Sequence, residues 1–195
     1  MTGAEKQPDG SIAIHFSLAP NEATRSYGYA DFLLEFHVTV GTSLGMELVT
    51  HNEGTAPLTF ENALHTYISI GNIDQTSIVG LEGTTYIDKT DGFKEKQVGS
   101  APLQIAKETD QVHLNTTATC AVEDKAWGRE VMVEKSGSES TVVWNPWAQK
   151  TSGFADMAPE EWRGMVCVES ANASSNAITL APGATHRLRA LVSTA

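Results

Sequence analysis

The chain has 195 residues, 41% of them hydrophobic and 19% charged, and carries a formal net charge of −11. This length and composition are typical of a single folded domain with one core. The 24 acidic against 13 basic residues argue against nucleic acid or an anionic membrane surface as the main partner. No apolar run approaches the roughly 18 residues of a membrane span, and the polar N-terminus lacks a secretory-signal pattern, so we expect a cytoplasmic protein.

Residues 1–11 are polar and rich in turn-forming types, and we predict a flexible N-terminus there, followed by one domain over residues 12–195. Hydrophobic residues recur with a period of two in most of that domain, which indicates strands with one buried face. Turn signals such as Asn52-Glu53-Gly54 and Pro182-Gly183 separate the segments. The predicted strands, in chain order and one-letter code, are SIAIHFSLA, DFLLEFHVTV, LGMELVT, LTFENALHTYISI, TTYID, QVHLNTTATCAV, REVMVEK, STVVWNPW, GMVCVES and THRLRALVST.

Helical periodicity is limited to the segment DMAPEEWRG, which predicts one short helix. Many short strands with few helices predict an all-β fold, in the form of an antiparallel β-sandwich or a barrel-like sheet.

The stretch from Leu58 to Ile70 divides into two faces by strand parity. One face suits a core and carries Leu58, Phe60, Asn62, Leu64, Thr66, Ile68 and Ile70. The other face carries Thr59, Glu61, Ala63, His65, Tyr67 and Ser69. A carboxylate, an imidazole and a phenol on this second face are able to line one concave surface. Periodicity alone leaves open the alternative that this face is simply solvated.

Glu169 ends a run of Met, Val, Cys and Val, so we expect it at or near the edge of the core. A carboxylate in that position is costly unless it has partners. Burial would raise its pKa, whereas hydrogen-bond donors or a nearby cation would lower it. Both a tuned base and a structural hydrogen-bond acceptor fit this environment.

Two tryptophans, Trp144 and Trp147, flank Asn145-Pro146 in the segment VVWNPW. Aromatic rings beside polar groups suit sugar binding, because a sugar presents apolar C–H faces as well as hydroxyls. Packing of a core is the alternative use of these rings.

Other chemistries find little support in the residue types. The six histidines are scattered without metal-ligand spacing, so no metal site is predicted. Cys120 and Cys167 lie outside any C-x-x-C or Cys/His cluster; we predict two free, buried thiols, with a disulfide as the alternative. The G-x-S-x-G, P-loop, G-x-G-x-x-G and H-E-x-x-H motifs are all absent.

Seven segments, taken in order, resemble the sequence blocks of one enzyme family: NALHTYISIGNID, GLEGTTYIDK, KETDQVHLN, VVWNPWAQK, FADMAPEEW, GMVCVESANA and LAPGATHRL. That family is the glucose-6-phosphate 1-epimerases, or hexose-6-phosphate mutarotases, of the aldose 1-epimerase (galactose mutarotase-like) superfamily. The resemblance extends over about residues 12–192, and the combination of ALHTY, VVWNPW and MVCVE makes it specific.

The resemblance implies a galactose mutarotase-like supersandwich and cofactor-free interconversion of the α and β anomers of a hexose or hexose 6-phosphate. It implies that His65 is the general acid, Glu169 the general base, and Asp110 a ligand of sugar hydroxyls. The chain departs from the pattern at Gln111, where the family usually has a basic residue.

Family members also carry glycine-rich and arginine-containing blocks before the point that corresponds to the start of this chain. The resemblance therefore implies an N-terminally shortened sandwich without the arginines that hold the phosphate, and a sheet edge or face that self-association would cover. Two functional hypotheses follow. The first is an active epimerase of a sugar or sugar phosphate, and the alternative is a non-catalytic carbohydrate-binding or regulatory domain of the same fold.

Overall fold

A computed structural model describes residues 1–195, which form eighteen strands with only short helices between them. The strands are β1 (Gly3–Lys6), β2 (Ile12–Leu18), β3 (Phe32–Val40), β4 (Leu44–Asn52), β5 (Leu58–Phe60), β6 (Asn62–Leu64), β7 (Tyr67–Ser69), β8 (Thr76–Val79), β9 (Thr85–Asp88), β10 (Lys94–Gln97), β11 (Leu103–Gln104), β12 (Thr109–His113), β13 (Cys120–Asp124), β14 (Arg129–Ser136), β15 (Ser140–Asn145), β16 (Met165–Asn172), β17 (Ile178–Leu180) and β18 (Thr185–Thr194). The helices are α1 (Glu22–Ser26) and α2 (Trp147–Thr151), with 3₁₀ turns at Ile73–Gln75, Lys89–Asp91, Glu161–Gly164 and Ser174–Asn176. None of them has the length and apolar character needed to span a membrane.

The strands pair antiparallel in two large sheets and one small one. The first sheet has nine strands in the order β1-β2-β3-β4-β18-β14-β13-β8-β11. The second has the order β10-β9-β12-β15-β16-β6, with β7 also paired to β16, while β17 and β5 form a two-stranded ribbon. The prediction of an all-β, antiparallel fold is confirmed.

The main core lies between the two large sheets. It combines Val122, Val131 and Val133 of the nine-stranded sheet with Val143, Val166 and Val168 of the other. Successive side chains of a strand point to opposite faces. The residues next to these valines along the strands, among them Val142 and Glu169, therefore lie on the opposite face of the seven-stranded sheet. Because that outer face is not covered by the core, its side chains are free to line a binding site.

Three predicted segments differ in the structure. Residues 1–11 were expected to be flexible, but Gly3–Lys6 form β1 and pair with β2 in register Gly3↔His15 to Lys6↔Ile12. QVHLNTTATCAV contains two strands, β12 and β13, in different sheets, because Asn115 adopts a left-handed conformation (φ 52°) that ends the first strand. The expected helix in DMAPEEWRG is only the 3₁₀ turn Glu161–Gly164.

Gly137→Ala is expected to destabilise the fold by about 2–5 kcal/mol. Gly137 has a φ of 64°, and a Cβ atom there would overlap the backbone carbonyl oxygen of Arg187 in β18. Gly183 has a similar φ of 73° but open space around it, so Gly183→Ala should lose only the conformational part, about 1–2 kcal/mol. Urea unfolding of both variants measures the difference, and equal losses would contradict the steric argument.

Candidate active site

A cavity of about 650 Å³ opens on the outer face of the seven-stranded sheet. Its floor is an apolar cluster that includes Val112, Val142 and Ala171 from three neighbouring strands. Polar and aromatic side chains surround this floor, and they come from β6, β7, β12, β15 and β16 and from the segments next to β6, β9 and β16. An apolar floor with a few converging polar groups is the usual form of a small-molecule site.

The strand register brings His65 and Glu169 face to face. Leu64 pairs with Ser170 and Tyr67 pairs with Cys167, so the same register continued between them sets His65 opposite Glu169. Directly opposed residues of an antiparallel pair are close neighbours on one face. His65 Nδ1 lies 3.1 Å from Glu169 Oε1, with the imidazole 66% exposed and the carboxylate only 5% exposed.

The predicted parity of residues 58–70 is confirmed around this pair. Leu64, Thr66, Ile68 and Ile70 are buried. Glu61, Ala63, His65 and Tyr67 all line the cavity. The polar face of this stretch therefore lies on the cavity side, where His65 and Tyr67 remain largely exposed, and Asn62 of the other predicted face also lines the cavity.

Glu169 has the environment of a carboxyl group that changes its charge near neutral pH. Burial, the largest cause, raises its pKa to about 7; the charge of Asp110 adds to this rise, and the ammonium group of Lys89 opposes it. A carboxyl group with a pKa close to neutral is suited to accept and return a proton under physiological conditions.

Asp110 pairs with Trp144 of β15, in the row of cross-strand partners next to the row that contains Glu169. Its Oδ1 is 3.5 Å from Lys89 Nζ, and both residues line the cavity. Gln111, the departure from the family pattern, lies on the opposite face of β12 and is buried there. This departure therefore leaves the composition of the cavity unchanged.

Aromatic rings form part of the cavity wall. Trp144 and Tyr67 meet edge to face with their ring centroids 5.9 Å apart, and both line the cavity. Trp147, in contrast, packs against Trp162 at 4.2 Å and borders the main core. Of the two tryptophans of VVWNPW, Trp147 therefore packs at the core and Trp144 lines the cavity.

Sequence reasoning did not single out Lys89 or Phe93 as site residues. Both follow strand β9, and both line the cavity. Phe93 is 68% exposed and has a left-handed φ of 60°, a conformation that non-glycine residues adopt infrequently and that occurs often at functional sites. In the sequence, Lys89 is marked only as the last residue of the segment GLEGTTYIDK, and Phe93 only by the Asp91-Gly92 dipeptide before it, which is typical of a turn.

The remaining buried titratable groups serve the fold. Burial lowers the pKa of His113 to about 4, so this imidazole is neutral. Lys135 donates hydrogen bonds of 2.8 Å to Thr116 O, Ser140 O and Thr141 Oγ1. Cys120 and Cys167 are buried and unpaired, as predicted. No group of three His, Cys, Asp or Glu side chains is arranged to hold a metal ion.

The sequence profile of the family described as aldose 1-epimerase matches residues 3–193. A "Putative glucose-6-phosphate 1-epimerase" of Escherichia coli K12 is 33% identical over 165 residues, which are 84% of this chain and 54% of that protein. The protein of the same name in Salmonella typhimurium is 30% identical over 172 residues, covering 88% of this chain and 57% of its own length. The chain thus spans about half the length of the curated relatives it matches.

Solved structures give the same result for the fold. The crystal structure of a "putative mutarotase" from Salmonella typhimurium matches with a TM-score of 0.90 and 26% identity, over 100% of this chain and 63% of that one. A "Putative aldose 1-epimerase" from Escherichia coli K12 matches with a TM-score of 0.69 at 13% identity, over 98% of this chain and 67% of that one. The predicted sandwich of galactose mutarotase type is confirmed.

Proposed function

The chain belongs to the aldose 1-epimerase family, and from this premise we propose that it interconverts the α and β anomers of a hexose or hexose 6-phosphate. The proposal rests on one observation above all: His65 and Glu169 lie 3.1 Å apart at an open cavity. An exposed imidazole beside a buried carboxylate supplies the acid and the base that this reaction needs.

The reaction opens and closes the sugar ring. Glu169 takes the proton of the C1 hydroxyl while His65 gives a proton to the ring oxygen; the bond from C1 to that oxygen breaks, and C1 becomes an aldehyde. Rotation about C1–C2 presents the other face of the aldehyde. The roles then reverse, so that Glu169 returns its proton and His65 regains one, and every atom balances without a co-reactant.

Asp110 and the aromatic rings are proposed to position the sugar. The Asp110 carboxylate is part-exposed at the cavity and accepts hydrogen bonds from sugar hydroxyls. Trp144 and Tyr67 offer apolar ring surfaces to the C–H faces of the pyranose. These contacts set the ring oxygen toward His65 and the C1 hydroxyl toward Glu169.

The charge of the cavity bears on whether the substrate is phosphorylated. Lys89 is the single lysine or arginine that lines it, against the carboxylates of Glu61, Asp110 and Glu169. This balance favours an uncharged hexose within the cavity. The names of the two bacterial relatives point to glucose 6-phosphate, so both substrates belong in the test.

An anomer-exchange assay tests the proposal. Freshly dissolved α-glucose or α-glucose 6-phosphate is followed by polarimetry or NMR with and without the protein, and the buffer rate is subtracted. We expect acceleration in proportion to protein concentration for at least one sugar. Exchange no faster than buffer for both sugars would contradict the proposal.

A non-catalytic carbohydrate-binding or regulatory domain is the second candidate. The observation that favours it is the acidic cavity, which has one lysine and no arginine to hold a phosphate. Calorimetric titration with the same sugars distinguishes the two candidates. Saturable binding without exchange supports the second, and exchange supports the first.

The pH dependence of anomer exchange is expected to follow the titration of the Glu169 carboxyl group. The pKa of this group is raised to about 7, and only its ionised form accepts the proton of the C1 hydroxyl. The acid limb of activity therefore follows this pKa: as the pH falls through it, activity is lost by about tenfold per pH unit below 7. Measurement of kcat/KM between pH 5 and 9 checks this, and a flat profile would contradict the role of Glu169.

Self-association is proposed for the exposed apolar face of the nine-stranded sheet. By parity and pairing, Ile12, Phe16, Leu18 and Val40 share that face, and each is 39–48% exposed. Apolar patches of this kind favour contact with another surface. Sedimentation of the wild type and of Phe16→Lys tests it, and a monomeric wild type would contradict it.

The net charge of −11 disfavours nucleic acid and anionic membranes as partners. The cytoplasmic location stays a prediction from the sequence.

A further inference from the structure

The cavity concentrates negative charge around the group proposed as the base. Glu61, Asp110 and Glu169 all line it, and Lys89 is the only lysine or arginine among the lining residues. Like charges nearby favour the protonated form of a carboxyl group. A cation close to these carboxylates favours the ionised form of Glu169.

The register of the sheet directs Lys89 to this position. Asp88 of β9 pairs with Gln111 of β12, so the next step of the same antiparallel register sets Lys89 beside Asp110. Asp110 in turn pairs with Trp144, whose partner on β16 is Cys167, two residues from Glu169. The ammonium group of Lys89 lies 3.5 Å from Asp110 Oδ1 and shares the cavity with Glu169.

The segment around Lys89 is held firmly by its own ion pairs. Asp88 Oδ1 accepts hydrogen bonds from the backbone and hydroxyl of Thr90. Lys96 bridges Asp88 and Asp91 at 2.8 and 2.7 Å. Charge-assisted contacts on both sides of the turn order the backbone from which Lys89 extends toward Asp110.

We propose that Lys89 is a positioning residue of this site: its ammonium group orients Asp110 for the sugar hydroxyls and keeps Glu169 in the carboxylate form that accepts the C1 proton. This role rests on the proposed function and adds a residue to it. Lys89 acts through Asp110 and Glu169 and has no proton-transfer step of its own.

The charged and titratable groups that face Glu169 decide the sign of the effect. His65 contacts it from the link between β6 and β7, Asp110 faces it from β12, Lys89 from the turn after β9, Tyr67 from β7, and Cys167 from its own strand. The charge of Asp110 raises the pKa of Glu169, and the charge of Lys89 lowers it. Removal of Lys89 takes away a cation that opposes the repulsion from Asp110, so Glu169 binds its proton more tightly.

The test compares Lys89→Met and Lys89→Gln, which remove the charge, with Lys89→Arg, which keeps it. Lys94→Met is the matched control, because Lys94 begins β10 shortly after this turn, has a side chain that is 67% exposed and pairs with Asp91. The titration midpoint of Glu169 is read by ¹³C NMR of labelled glutamate, with Glu169→Gln to assign the signal. The acid limb of kcat/KM for anomer exchange is measured in parallel.

Both neutral variants are expected to raise the midpoint and the acid limb by about half to one pH unit. The loss of exchange is then about threefold to tenfold larger at pH 6 than at pH 9, where only the lost orientation of Asp110 remains, while Lys89→Arg and Lys94→Met keep the wild-type profile. An unmoved midpoint, or an equal loss at every pH, would overturn the proposal. If the wild type catalyses no exchange, the proposed function fails, yet the NMR titration still decides the role of Lys89.

Discussion

Glu169→Gln is expected to lower kcat/KM for anomer exchange by about 10²–10⁴-fold, the usual contribution of a general base. The amide has nearly the same shape as the carboxyl group but cannot accept the proton of the C1 hydroxyl. The fold should be retained, because Glu169 is only 4% exposed and replacing a buried carboxylate with a neutral group removes a desolvation cost. Thermal unfolding should show a midpoint equal to or above that of the wild type.

Another pair on the nine-stranded sheet provides a matched control for this variant. Glu35 Oε2 lies 2.9 Å from His51 Nε2, so the chain contains a second carboxylate–imidazole contact away from the cavity. Glu35→Gln is expected to leave kcat/KM within about twofold of the wild type, since only contacts strengthened in the transition state accelerate the reaction. Retention of wild-type exchange by Glu169→Gln would remove Glu169 from the mechanism.

The position of the site was predictable because a strand has a period of two. From the alternation between Leu58 and Ile70 alone, His65 shares a face with Glu61 and Tyr67, and the structure places all three at the cavity. The resemblance to the epimerases adds Glu169 as a partner about a hundred residues later in the chain. The direct opposition of His65 and Glu169 depends on the pairing of β6 and β7 with β16, and one sequence does not specify such long-range register.

Lys89 and Phe93 illustrate what the sequence could not supply. Lys89 reaches the site because β9 pairs with β12, a strand more than twenty residues later. Phe93 reaches it because a turn with φ 60° directs its side chain to the cavity. Neither position belongs to a periodic strand, and exposed turn residues carry no hydrophobic pattern. Local periodicity therefore predicted the strand faces, whereas tertiary pairing determined which loop residues join them.

Residues 1–11 show a further limit of prediction from sequence. Their polar composition predicted a flexible segment, yet Gly3–Lys6 pair with β2. An edge strand needs only backbone partners, and its exposed side chains leave no apolar alternation to read. Composition thus underestimates strands whose side chains contribute little to a core.

His65→Ala is expected to lower kcat/KM for anomer exchange by about 10²–10⁴-fold, because the ring oxygen then leaves C1 without a proton donor. The imidazole is 66% exposed, so its removal should change the free energy of unfolding by less than about 0.5 kcal/mol. His51→Ala, which removes the imidazole of the other carboxylate pair, is the matched control and should retain wild-type exchange.

The double variant His65→Ala/Glu169→Gln separates concerted from independent action. In the proposed mechanism, ring opening transfers one proton to Glu169 and one from His65 in the same step, so loss of either group disables that step for the other. Groups that act as a unit show strongly non-additive losses. We therefore expect the double variant to be only slightly slower than the slower single variant. If the two losses multiplied instead, His65 and Glu169 would act in separate steps, and the 3.1 Å contact between them would serve the structure of the free site rather than the reaction.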